Sequence, residues 1–143
     1  MVRIKERRRR RRIYVALPIS FTYNNKRISS QTKNISSLGA YLETDVPVSV
    51  GVVLNIKLKV PNISRTKLAK VQQIHCAGIV FRCQALKTPG SENRYGIGIF
   101  FRAFLEEGEQ RLVKYVDYVL LQEKKAGKIY IRKRKQAKKG RKQ

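Results

Sequence analysis

Residues 13–23 have the sequence IYVALPISFTY, in which every second position from Val15 to Tyr23 is apolar or aromatic and the positions between are polar or small. A period of two residues is typical of a β-strand that buries one face. The pair Asn24-Asn25 follows directly and favours a tight turn. The stretch therefore predicts the first strand of an antiparallel β domain.

Further segments downstream continue this pattern of strands and turns. Four segments fit strands or strand pairs: residues 40–44, 51–60, 67–86 and 94–101. A fifth, polar segment, residues 27–33, suits a returning edge strand. Alternation is clearest in residues 51–60, and Pro61-Asn62 is expected to end that strand. The long segment 67–86 fits one strand or a bent pair, with Ala77-Gly78 as a candidate bulge.

The periodicity changes after Phe104. Within residues 105–125 apolar side chains recur at helical spacing, and acidic residues are concentrated near the start, as is typical of an amphipathic helix: Leu112, Val113, Val116, Val119 and Leu120 are apolar, and Glu106, Glu107 and Glu109 are acidic. Five or six short strands followed by one helix predict a mainly β fold. We expect a small antiparallel six-stranded β-barrel with one C-terminal amphipathic α-helix packed across it or across a partner.

Charge divides the chain into three parts. The 33 basic and 9 acidic residues give a net charge of +24. Residues 1–12 contain 8 basic residues and one acidic residue, and residues 124–143 contain 11 basic residues and no acidic one. Residues 13–123 contain 14 basic and 8 acidic residues. We therefore expect a basic N-terminal segment (1–12), a barrel with its closing helix (13–125) and a basic, disordered tail (126–143), in which residues 128–131 could add a short strand. A chain so basic should bind negatively charged partners.

Several classes of protein fit the sequence poorly. No apolar stretch approaches the roughly 20 residues that span a bilayer, and Pro18 interrupts the segment after the arginines, so we expect a cytoplasmic protein. Cys76, Cys83 and the single histidine, His75, have neither metal-ligand nor disulfide spacing, so we predict no metal site, no cofactor and a buried or half-buried thiol. No catalytic constellation stands out, which favours a binding protein over an enzyme.

Two motifs point to the ligand. Residues 7–12 are six consecutive arginines, whose guanidinium groups bind phosphate bidentately and stack on flat bases. Residues 34–39 have the sequence NISSLG, in which Asn34 and Ser36 can bond to turn backbone or to a ligand and Gly39 permits close approach. An isolated arginine run is usually a solvated arm, and an isolated turn of this kind is usually a plain hairpin; their combination is more specific.

With both motifs in this order, the chain resembles the PilZ domain family, whose members carry R-x-x-x-R before the barrel and [D/N]-x-S-x-x-G about two strands later. The resemblance implies binding of cyclic di-GMP by Arg8, Arg9, Arg12, Asn34, Ser36 and Gly39. The register assumes that the second motif arginine directly precedes the strand at Ile13; a strand that starts one residue earlier would select Arg7 and Arg11. Gly39 is expected to keep the surface clear for a guanine base, and Asn34 in place of aspartate is within the family pattern.

The sequence thus favours a cyclic di-GMP receptor that transmits its signal by ordering of the arginine segment to a downstream protein. A nucleic-acid-binding protein is one alternative; it explains the basic ends better, but not the turn, and its barrel would ordinarily expose aromatic residues. A PilZ-like adaptor without ligand is another. The basic tail suits nucleic acid, an anionic membrane or an acidic protein, and the sequence does not separate these.

Overall fold

A computed structural model of the protein describes residues 11–64, 67–87 and 93–141. Within these ranges the chain forms six strands and one helix, in the order β1 (Pro18–Tyr23), β2 (Lys26–Ile35), β3 (Gly39–Thr44), β4 (Val53–Ser64), β5 (Lys67–Ala85), β6 (Tyr95–Arg102) and α1 (Gly108–Arg141). The strands close into a barrel in the order β1-β2-β3-β6-β5-β4, and every neighbouring pair is antiparallel. The predicted six-stranded antiparallel barrel with a C-terminal helix is confirmed.

Alternating side chains of the strands fill the barrel. Leu54, Ile56 and Leu58 of β4 are buried, whereas Val53 between the turn and Leu54 is exposed, as the period of two requires. The helix α1 packs on β4 and β5 and adds a buried leucine, Leu112, to the same core. Cys76 of β5 is also buried, and burial raises the pKa of its thiol to about 12, so the side chain behaves as a small apolar residue.

The first strand is shorter than predicted. Residues 14–17 lie outside a regular strand: Ile13 forms an isolated antiparallel bridge to Ile35, and the Leu17 carbonyl accepts a hydrogen bond of 3.0 Å from the Thr32 N–H. In this segment the buried Thr32 hydroxyl of β2 accepts a hydrogen bond from the Leu17 N–H at 2.9 Å and donates one to the Val15 carbonyl at 2.6 Å. A side chain therefore takes part of the role of a backbone ladder in this segment.

Strand β4 continues further than predicted, and β5 is irregular at a different place, in its pairing with β6. Pro61 does not end β4, because β1 pairs with β4 only at residues 56–58 and the missing N–H of Pro61 costs no bond to β1. The predicted bulge at Ala77-Gly78 is wrong, since pairing is regular there and shifts instead between Val80 and Arg82. Gly78 has another role: a Cβ at this position would overlap the side chains of Ile56 and Ile99 in the core.

The helix starts later and ends later than predicted. Ala103, Glu106 and Glu107 have positive φ angles, which are incompatible with a helix start at residue 105. At the other end α1 continues to Arg141, so the short strand that we expected at residues 128–131 does not form. Residues 126–141 lack proline, and 8 of these 16 residues are lysine or arginine, which favour helices and suit a helix C-terminus.

In the three ranges that the structure describes, no helix combines the length and the apolar character needed to span a bilayer.

Candidate functional site

The turn between β2 and β3 is held by its own hydrogen bonds. The Ser36 N–H donates to the Gly39 carbonyl at 2.9 Å, and the Leu38 N–H donates to the Ser36 hydroxyl at 3.1 Å. The Leu38 carbonyl in turn accepts a bond of 2.7 Å from the Phe101 N–H of β6. Ser36 is buried, so its first function is to fix the turn against the barrel wall.

Gly39 has a structural role that differs from the predicted one. A Cβ at this position would overlap the Ile99 carbonyl oxygen and would lie 3.3 Å from the Phe100 Cα. The expectation that Gly39 keeps the ligand surface clear stays a prediction beside this structural role. Glycine is needed here because the backbones of β3 and β6 approach closely.

Arg12 is the predicted site arginine whose position the structure describes; Arg8 and Arg9 lie outside the described residues. The neighbouring Ile13 exchanges two backbone hydrogen bonds with Ile35, of 2.8 and 2.9 Å, which hold the arginine segment beside the end of β2. The Arg12 guanidinium also donates a bond of 3.4 Å to the Asn34 side-chain carbonyl. The two sequence motifs therefore meet in space.

A cleft of about 510 Å³ lies where the motifs meet. Two arginines, the β2–β3 turn and the outer surfaces of β5 and β6 line it: Arg11, Arg12, Ser36, Leu38, Gly39, Phe81, Ile99 and Phe100. Among the described residues, the ion pairs both involve Arg94, with Glu43 at 3.7 Å and Asp45 at 2.8 Å. No described carboxylate thus forms an ion pair with the cleft arginines, and the cleft can accept an anionic ligand.

Phe81 and Phe100 line this cleft although our sequence analysis did not identify them. Their rings stack with centroids 4.2 Å apart and an interplanar angle of 26°. Phe100 had a signal in the sequence: it alternates with the buried Ile99 and Phe101 and therefore lies on the outer face of β6. Phe81 had a similar signal: Ile74, Cys76 and Val80 of β5 are buried, so Phe81 follows on the outer face of that strand.

A second cleft, of about 560 Å³, separates Arg11 from the helix α1. Two acidic residues of α1, Asp117 and Glu123, contribute to its lining. Their carboxylates would repel a phosphate ligand, so this cleft fits the chemistry of the two motifs less well.

Comparisons with known proteins agree with the fold and the position of the motifs. The family model described as PilZ domain matches residues 6–118, a range that includes the arginine run, the barrel and the start of α1. A search of curated proteins finds no match to the chain.

Several solved structures share the fold. The Bacillus subtilis inhibitor of motility (MotI/DgrA) has a TM-score of 0.63 at 16% identity, over 81% of this chain and 52% of that one. MrkH of K. pneumonia in its apo state has a TM-score of 0.63 at 20% identity, over 82% of this chain and 52% of that one. The PilZ domain of Escherichia coli YcgR, with c-di-GMP, has a TM-score of 0.52 at 16% identity, over 85% of this chain and 96% of that one. The chain thus spans about half the length of MotI and MrkH.

At these identities the similar structures establish only the fold, and membership of a family rests on the family model. It covers most of the chain, and both motifs that carried the resemblance lie within its range. The protein belongs to the PilZ domain family.

Proposed function

We propose that this protein is a receptor for cyclic di-GMP and that it binds the ligand in the cleft between the arginine segment and the β2–β3 turn. One observation carries the proposal: Arg12 and the Ser36–Gly39 turn, which are far apart in sequence, line the same cleft. The similar PilZ domain of YcgR has c-di-GMP in its structure. The proposed role is binding and regulation, not catalysis.

The chemistry of the cleft suits this ligand. Cyclic di-GMP has two phosphates and two guanines, and arginine binds phosphate oxygens as well as the O6 and N7 atoms of guanine with paired N–H donors. Arg12 supplies such donors in the described part of the site, and we assign the same role to Arg8 and Arg9 from the family motif. The Asn34 amide, already 3.4 Å from the Arg12 guanidinium, positions that side chain and can bond to a guanine edge. The Ser36 hydroxyl accepts from Leu38 and keeps its own hydrogen to donate.

The same chemistry suggests how the signal is transmitted. Six adjacent arginines repel one another, and a ligand with two phosphates offsets that repulsion when it draws them towards the barrel. Ligand binding then orders the N-terminal segment against the cleft and changes the surface offered to a downstream protein.

Isothermal titration with cyclic di-GMP in about 0.3 M NaCl tests the site, because salt at this concentration suppresses nonspecific attraction. We expect saturable binding by the wild type and an affinity about ten- to hundredfold lower for Arg12→Ala, which removes charge-assisted hydrogen bonds. Arg27→Ala is the matched control, since the exposed Arg27 lies seven residues from Asn34 along β2, about 23 Å away. Equal affinities of Arg12→Ala and the wild type would contradict the proposed site.

Amide hydrogen exchange on the same samples tests the ordering step. We expect protection of residues 3–14 to increase when ligand is added and protection of the β1–β2 turn to stay constant. Ligand binding without a change in residues 3–14 would leave the receptor function intact and refute the mechanism of transmission.

A second candidate function is nonspecific nucleic-acid binding, which the concentration of charge at the two ends of the chain favours. It predicts an affinity for nucleic acid that falls steeply with salt and does not depend on Arg12→Ala or Ser36→Ala. A wild type that fails to bind cyclic di-GMP would leave this function or that of a ligand-free PilZ adaptor.

A further inference from the structure

The stacked pair of Phe81 and Phe100 is an unusual feature of the barrel surface. Phe81 is 39% and Phe100 is 48% exposed, and both line the cleft that holds the two motifs. Exposed apolar side chains are common singly, but two phenylalanines packed ring to ring beside two arginines form a surface with a defined shape. Such a surface is suited to a flat ligand.

The barrel is built to present this pair. The β5–β6 register shifts between Val80 and Arg82, so Phe81 is the extra residue of a bulge and lies on the outer face of β5. Gly98 of β6 makes room for it, since a Cβ there would lie 2.6 Å from the Phe81 ring. Phe100, two residues further along β6, then supplies the surface on which Phe81 stacks. Three separate features of the two strands thus hold the rings in place.

The composition of the cleft narrows the class of ligand. Leu38, Phe81 and Phe100 give it an apolar, partly aromatic side, and Arg11 and Arg12 give it a cationic side. A sugar phosphate alone would satisfy the arginines but would leave the aromatic side uncovered. A purine nucleotide satisfies both, because its base offers a flat π face and its phosphate offers anionic oxygens.

We infer that a purine base of the bound nucleotide stacks on the Phe81–Phe100 pair, which makes these two phenylalanines determinants of affinity. The inference rests on the proposed function, because it assigns residues to that site. It adds a contact that neither sequence motif contains. Loss of one ring should weaken binding about ten- to hundredfold, the range typical of one base stacked on an aromatic side chain.

A tryptophan probe tests the stacking directly. The chain contains no tryptophan, so Phe100→Trp introduces a single indole whose emission reports contact with a base. We expect cyclic di-GMP in about 0.3 M NaCl to quench this emission in a saturable way, with the midpoint that calorimetry gives for the same variant. Val71→Trp is the matched control: Val71 is on β5, like Phe81, and is 62% exposed but does not line the cleft. Its emission should not respond to ligand.

The variant Phe100→Leu tests the energetic contribution, because leucine keeps an apolar side chain and removes the ring. We expect its affinity for cyclic di-GMP to fall at least tenfold while Val71→Ala binds like the wild type, and far-ultraviolet circular dichroism to show that both variants fold.

Three outcomes would overturn the inference in distinguishable ways. If the wild type binds cyclic di-GMP but Phe100→Trp is not quenched and Phe100→Leu binds normally, the proposed function stands and the stacking contact is refuted. If the wild type does not bind cyclic di-GMP at all, the proposed function and the inference both fail. If single-stranded DNA quenches Phe100→Trp in 0.3 M NaCl and cyclic di-GMP does not, the pair is a platform for a nucleic-acid strand instead.

Discussion

Gly39 shows how a residue in a ligand-binding motif can be required first by the fold. It lies where β3 pairs with Phe100 of β6, and an added methyl group would overlap the Ile99 carbonyl oxygen. Backbone atoms cannot rotate away as a flexible side chain can. We therefore expect Gly39→Ala to lower the free energy of unfolding by about 1–3 kcal/mol, the usual cost of overpacking, and to lower the urea midpoint accordingly.

Gly127→Ala provides a control of opposite sign. Gly127 lies within α1, and a Cβ there would meet no atom within 4 Å. Alanine favours a helix over glycine by about 1 kcal/mol, so this variant should unfold at the wild-type urea midpoint or slightly above it. If Gly39→Ala unfolded at the same urea concentration as the wild type, the close approach of β3 and β6 would not be the reason for the glycine.

The candidate site was only partly predictable from single residues. Arg12 and Asn34 were identified because a local motif is visible in the sequence, and the structure places their side chains in contact. Gly39 was identified as a motif residue, but its structural role was not, since the close approach of its backbone to the Ile99 carbonyl joins segments that are distant in the sequence. Phe81 and Phe100 were missed because alternation places each residue on an outer face but does not show that β5 and β6 bring the two rings together.

At the scale of the secondary-structure element, α1 consists of two parts with different surroundings. Leu112 near its start is fully buried against the barrel, whereas Leu121, nine residues later on the same helix, is 50% exposed. We expect Leu112→Ala to reduce the free energy of unfolding by about 2–5 kcal/mol, because it removes buried methyl groups and leaves a cavity. Leu121→Ala should change it by no more than about 0.5 kcal/mol.

Urea denaturation followed by circular dichroism measures both variants and separates packing from helix propensity, since the two substitutions change propensity equally. Similar effects of the two substitutions would mean that α1 contributes to stability along its whole length and not mainly through its packed start.

The contrast within α1 also explains which elements the sequence predicted well. Buried strands and the packed half of the helix have a periodic apolar face, and that face is visible in the sequence. Residues 121–127 are exposed, so no burial requirement leaves a periodic pattern there, and helix formation from residue 126 onward depends on intrinsic propensity. The predicted start of β1 was wrong for a different reason: the Thr32 hydroxyl bonds to the Leu17 N–H and the Val15 carbonyl and replaces part of the backbone ladder.

At the scale of the whole molecule, the closed barrel and the net charge of +24 act independently. The cleft uses a few arginines in a fixed geometry, whereas the overall charge attracts any polyanion and is screened by salt. Replacement of Arg132, Lys133, Arg134 and Lys135 by glutamine tests this separation: it lowers the net charge to +20 and keeps residues that favour a helix.

Short duplex DNA is a suitable probe of the overall charge. The logarithm of its binding constant for a basic protein falls linearly with the logarithm of the salt concentration, with a slope of about −0.9 for each phosphate neutralised. We expect fluorescence anisotropy between about 0.05 and 0.3 M NaCl to give the glutamine variant a shallower slope than the wild type, by up to roughly 4. The affinity for cyclic di-GMP should be the same in both proteins, since the described residues that line the cleft all precede Phe101. An unchanged salt slope would show that these four side chains do not bind phosphates, and a lower affinity for cyclic di-GMP would show that the C-terminal half of α1 takes part in the ligand site.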